Sequence, residues 1–222
     1  MPCRARAPER SYGSRARRRL FTADTRRRIT AVVREIERQT SAEIVVSVAP
    51  ASARYLEPTM TAGVVAAIGM LLLVVLHPKP VRDEAIVLDV VLAFVVAAVS
   101  TDKIDPLRRR MLTHARVVSE TARAAKSEFV DRGIARTKGR TGILVYVSSF
   151  ERRVEVVSDI GVERSVDTGA WRAALRTLEA SISAGADIDR FVSALRGVGT
   201  VLARGLPREK DDENELPDEV VA

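Results

Sequence analysis

Residues 60–76, MTAGVVAAIGMLLLVVL, and 85–99, AIVLDVVLAFVVAAV, decide how the rest of the chain is read. The first run carries no charge, and the second carries only Asp89. Between them lies the polar turn His77–Glu84. At a rise of about 1.5 Å per residue, the first run makes a helix roughly 26 Å long. A bilayer's hydrocarbon core is about 30 Å thick and accepts helices of about 17 residues or more. The second run reaches that length when Ser100 and Thr101 are counted, and Asp89 lies within reach of the turn and of Arg82. A helix apolar on every side suits lipid, whereas a small soluble domain seldom has a core large enough to bury one. The expectation is a transmembrane hairpin over 59–101, with a buried soluble hairpin as the alternative. A cleaved signal peptide does not fit a run that begins at residue 60.

The flanks fix an expected orientation. Arg54, Lys103, Arg108, Arg109 and Arg110 lie outside the hairpin, against Lys79 and Arg82 in its turn. Excess basic charge stays on the cytoplasmic side, so both termini are expected in the cytoplasm of a multi-pass protein of the cell membrane. The Arg108–Arg110 triplet reads as an interfacial anchor.

Outside the hairpin the chain is charged and reads as soluble. The whole has 222 residues, a formal charge of +7 and 4% aromatic residues. A basic chain raises the question of nucleic acid, but no base-stacking or zinc-finger pattern is present. The anionic leaflet is the simpler partner, at about 1 kcal/mol for each Lys or Arg near its surface. Cys3 is the only cysteine, which excludes internal disulfides and cysteine-based metal sites.

In order, residues 1–20 form a basic arm with almost nothing apolar, or a stretch upstream of the true start. The first part of the folded domain spans 21–58. It opens with a helix capped by Thr22, with Ile29, Val32, Val33 and Ile36 on one face, ending near Gln39. Glu43–Val48 is a β-branched strand whose unbroken apolar run suits a sheet centre covered on both faces. After the hairpin, 102–206 carry the second part. One helix is expected from Asp105 to Arg132, with Pro106 at its first position and Gly133 closing it. Thr141–Ser148 and Val154–Ser158 read as a β-hairpin around Phe150–Arg153. Two amphipathic helices follow, Gly169–Ala184 and Ile188–Arg204, the second capped by Asp187. The chain closes in an acidic tail, 207–222. The expected fold is α/β, a small mixed sheet sandwiched by helices, whose strand-to-helix crossover is interrupted by the membrane hairpin.

Thr40-Ser41-Ala42-Glu43-Ile44-Val45-Val46 resembles the TSGEI stretch of TPM domains. Arg140–Ser148 followed by Glu151–Val162 is similar to the central hairpin of that domain. Asp212–Asp218, DENELPD, resembles a bacterial membrane subgroup whose domain is split by a transmembrane hairpin. The resemblance runs from about residue 20 to 220, and Ala42 departs from the usual glycine. It implies a mixed sheet between helices. It also implies work in the maintenance or assembly of membrane complexes, since members have been linked to photosystem repair and to receptor modulation. A plant member is described as an acid phosphatase with a nearby calcium site.

The residues themselves carry little phosphatase chemistry. Lys138–Gly142 lacks P-loop spacing, and no G-x-S-x-G elbow occurs. His77 and His114 are too isolated for a metal pair, and Ser148 and Ser149 read as strand-end residues. Carboxylates remain. Asp159 and Glu43 are expected at one sheet edge, and with Asp211 and Asp212 folding back they would offer oxygen ligands to calcium or magnesium. Otherwise Asp159 caps a turn before Gly161 and the tail is solvated. Two functions stand. The first is a membrane-anchored, non-catalytic module acting on a membrane-protein partner. The alternative is a divalent-cation-dependent phosphatase acting on phosphomonoesters.

Overall fold

Three strands in the order β1-β2-β3 build the sheet: β1 Glu43–Ala49, β2 Gly142–Ser148 and β3 Arg153–Ser158. The computed structural model describes residues 22–77, 83–183 and 187–208. β1 and β2 are parallel with Val45 opposite Leu144, and β2 and β3 are antiparallel with Val145 opposite Val156. The α/β expectation therefore holds, with one correction. β2 is the central strand and β1 an outer one. The unbroken apolar run of β1 reflects cover on both faces, which an outer strand has here because helices overhang it.

Contacts divide the chain into two units, 1–52 with 118–222, and 53–117. In the first unit, strand parity sorts the side chains. Ile44, Val46, Ile143, Val145 and Val154 face a core shared with α1 Ala23–Glu37, α7 Thr168–Ser183 and α8 Ile188–Gly205. Val45, Leu144 and Tyr146 face the opposite way, onto Ala125 and Phe129 of α5 His114–Asp131 and onto Ile134. Leu178, Phe191, Leu195 and Leu202 are fully buried. α1, α7 and α8 are the helices the 3.6-residue period predicts. Thr22 caps α1 by accepting from the Thr25 amide at 3.3 Å. Asp187 caps α8 by accepting from the amides of Asp189 and Arg190. Gly133 closes α5 with φ 68°, a left-handed conformation that glycine adopts without penalty.

The second unit holds α2 Glu57–Leu76 and α3 Asp83–Lys103, which pack along one another, followed by α4 Asp105–Arg110. Gly63 lets them approach: a Cβ placed there would lie 2.6 Å from the Phe94 ring. Asp105–Arg132 is not one helix. The chain breaks at 111–113, where the Leu112 amide bonds back to the Arg109 carbonyl in a tightened last turn. Thr113 then occupies the N-cap position of α5, its carbonyl accepting from Arg116 and Val117. Met111 is consequently exposed. A short helix, α6 Ile160–Ser165, lies where the sequence shows only a strand end.

Candidate functional site

The hairpin presents the largest feature of unusual chemistry. At 20 and 21 residues, α2 and α3 are about 30 Å long, enough to cross a hydrocarbon core. Only 6% and 11% of their most apolar stretches are buried. Val65, Leu73, Val75, Leu76, Val87 and Leu88 are each more than 60% exposed. A core hairpin of a soluble protein would hide such side chains, and this one displays them. At the base of the hairpin the unit is polar and buried. Arg108 is 2% exposed, donates to the Tyr55 carbonyl at 3.3 Å and lies 3.8 Å from the Asp102 carboxylate. The expected anchor triplet is thus divided. Arg108 braces the segment before α2 against α4, and only Arg110 is fully at the surface. Arg116, at the start of α5, reaches Glu57, at the start of α2, at 2.6 Å.

Glu43 opens β1 and Asp159 follows β3, the two outer strands, so the carboxylates expected at one sheet edge lie at the same end of the sheet on opposite sides of β2. Glu43 stands opposite Gly142, whose carbonyl accepts from the Asp159 amide at 3.0 Å. Asp159 is 5% exposed and already engaged. One oxygen accepts from the Ile160 amide at 2.7 Å as the cap of α6, and Arg140 bonds the carboxylate at 3.0 and 3.2 Å. This is the capping role the sequence offered as the plainer reading. Arg140 holds that position with φ 52°, while Gly161 lies against the Gly139 and Arg140 carbonyls where a Cβ would meet oxygen at 2.4 Å. Asp211 and Asp212 lie outside the described residues. The chain leading to them is fixed beside the start of β1: Arg208 donates from its amide to the Gln39 carbonyl and from its guanidinium to the Glu37 carbonyl. Among the described residues no three His, Cys, Asp or Glu side chains converge as metal ligands.

The opposite end of the sheet, where β1 and β2 terminate, holds a denser polar cluster that sequence reasoning passed over. Ser47 and Tyr146 are register partners, on the face covered by α5. Ser47 donates to Glu128 of α5 at 2.6 Å, and Arg132 holds the same carboxylate. Glu151, in the β2–β3 turn, accepts from the Ser52 amide at 2.8 Å and from the Ser148 hydroxyl. Ser52 also donates to Thr121. Burial pushes the Tyr146 phenol up to about 12, aided by the charges of Glu151 and Glu128 and opposed by its hydrogen bond with Ser52. Across the sheet from Tyr146, burial also raises Glu155, against the nearby Arg153. Ser148 is fully buried, so its contact with Glu151 ties the turn to the strand and offers no accessible nucleophile. The sequence signal for this cluster is Ser47 and Tyr146, the hydroxyl-bearing residues inside two otherwise aliphatic strands.

The chain is similar to the BA42 protein from the psychrophilic bacterium Bizionia argentinensis, whose structure was solved by NMR. Identity is 17% and the TM-score 0.54, over 90% of this chain and 94% of that one. At that identity the likeness shows a shared fold alone. No family model and no curated protein matches the chain.

Proposed function

We propose that this chain is a membrane-anchored, non-catalytic α/β module of TPM-domain type that helps assemble, maintain or modulate a membrane protein complex. The observation that carries this reading is the outward apolar surface of α2 and α3. Each exposed Leu, Val or Ile forgoes about 1.5–3 kcal/mol of burial in water. Lipid or a membrane-embedded partner recovers that free energy along the whole hairpin. The hairpin is inserted between β1 and α5, so the α/β unit is tethered from both sides of its crossover. The basic flanks favour an orientation with both termini in the cytoplasm, in which exposed arginines such as Arg110 meet anionic head groups. Asp159 caps α6 and pairs with Arg140, and Glu151 braces the β2–β3 turn, so these two buried carboxylates are engaged in structural contacts.

The test is the size of the protein in its own membrane. Solubilised in mild detergent and run on a native gel, the chain should migrate in an assembly larger than the same chain purified alone. Migration at the size of the purified chain, combined with metal-dependent phosphate release that Asp159→Asn abolishes, would replace this reading with a hydrolase.

A further inference from the structure

At the base of the hairpin, α3 ends at Lys103 and α4 begins at Asp105. Ile104, between them, is not helical, with φ −108° and ψ 86°, and Pro106 stands in the first turn of the new helix. The chain therefore leaves the α3 axis directly after the last turn of an apolar helix.

Residues 104–111 sort by side. At 3.6 residues per turn, Ile104, Leu107 and Met111 fall within about 60° of one another. They are 47, 43 and 38% exposed. Pro106 and Arg110 flank this stripe on one side and are exposed as well. Arg108 lies on its other flank and turns inward, donating to the Tyr55 carbonyl at 3.3 Å and standing 3.8 Å from Asp102. α4 cannot roll its apolar side under without withdrawing that guanidinium from both partners. Leu56, next to Tyr55 and at the cap position of α2, is 59% exposed. Four large apolar side chains thus stand open on one braced surface.

Two observations select lipid as their cover. The stripe continues the outward apolar surface of α3, whose Val96 and Val99 are exposed within the last turns before Ile104. Exposed Lys103 and Arg110 border it. Apolar residues on one side of a helix with basic residues beside them suit the interface plane, where the apolar side enters the acyl chains and the basic side meets the head groups.

We infer that α4 is an interfacial wedge. Ile104, Leu107 and Met111 are buried about 5–10 Å into the boundary between head groups and acyl chains, in the leaflet where α3 ends. Leu56 enters the same layer. The inference rests on the membrane reading and deepens it: the chain is held in the plane of the bilayer as well as across it, at a level set by residues 104–111.

The test uses the full chain with Cys3→Ser, reconstituted in vesicles of phosphatidylcholine and phosphatidylglycerol. Single variants Ile104→Cys, Pro106→Cys, Leu107→Cys, Arg110→Cys and Met111→Cys each carry a nitroxide, and Leu72→Cys on α2 reports the hairpin itself. Relaxation is measured with oxygen, which concentrates in hydrocarbon, and with a neutral nickel chelate, which stays in water. The wedge predicts an oxygen-to-nickel ratio several-fold higher at positions 104, 107 and 111 than at 106 and 110. A nickel-accessible stripe beside an oxygen-rich position 72 would overturn the wedge and leave the spanning hairpin standing. A stripe shielded from both reagents would also overturn it, by making protein the cover. Nickel access at position 72 would overturn the membrane reading, and the wedge with it.

Discussion

Tyr146 concentrates the residue-scale physics of the fold. Its phenol is buried between two strands and two glutamates, and its pKa rises from 10.0 to about 12. The folded state favours the neutral form, so the stabilisation is complete below pH 10 and is lost as pH climbs through 12. The full loss is about 2–3 kcal/mol, at 1.36 kcal/mol per pKa unit. Denaturant titrations at rising pH should show this fall in the native chain and not in Tyr146→Phe. Glu155 has the same sign at lower pH. Its pKa is raised by burial, so its neutral form is favoured, and the stability this contributes is complete below the unfolded carboxyl's pKa and lost as pH rises through the folded one. Glu155→Gln should raise the melting temperature at pH 7, and an unchanged or lower one would contradict the assignment. Asp159→Ala should cost about 1–2 kcal/mol, chiefly through the lost α6 cap. The caps Thr22 and Asp187 were legible in the sequence because a cap is satisfied by the next two or three residues. The Ser47–Glu128 and Ser52–Glu151 bonds were not, because they join residues 81 and 99 positions apart. Nothing local announces such a pair.

Elements show where periodicity succeeds and where it stops. The long amphipathic helices and the β-hairpin follow from spacing alone, because one face of each must be buried. The break between α4 and α5 was invisible, since no proline or glycine marks it and the apolar spacing runs on through Met111. The deciding event is that the Thr113 carbonyl serves a new helix start. At six residues, α6 is too short to show a period at all. Inside the apolar hairpin the two glycines predict opposite outcomes. Gly63→Leu should force α2 and α3 apart, because the Phe94 ring already fills the space. Gly69→Leu should be tolerated, because nothing lies within 4 Å. A cysteine pair bridging α2 and α3 reads this directly: cross-linking should fall several-fold in the first variant and persist in the second.

At the scale of the whole molecule, the sequence and the fold agree on a small α/β unit split by an apolar hairpin. Membrane topology gives a prediction of its own. Cys3 is the only native cysteine, so a membrane-impermeant maleimide should label it in intact cells only after permeabilisation. In Cys3→Ser, a cysteine replacing Lys79 in the turn should label without it. The reverse pattern would invert the orientation. The central claim is membrane integration itself, and alkaline carbonate extraction of membranes containing the full chain tests it most directly. Integration through α2 and α3 predicts that the protein stays in the pellet, and that replacing residues 57–103 with a short Gly/Ser linker moves it to the supernatant. Release of the unaltered chain into the supernatant, alongside peripheral proteins, would contradict the account.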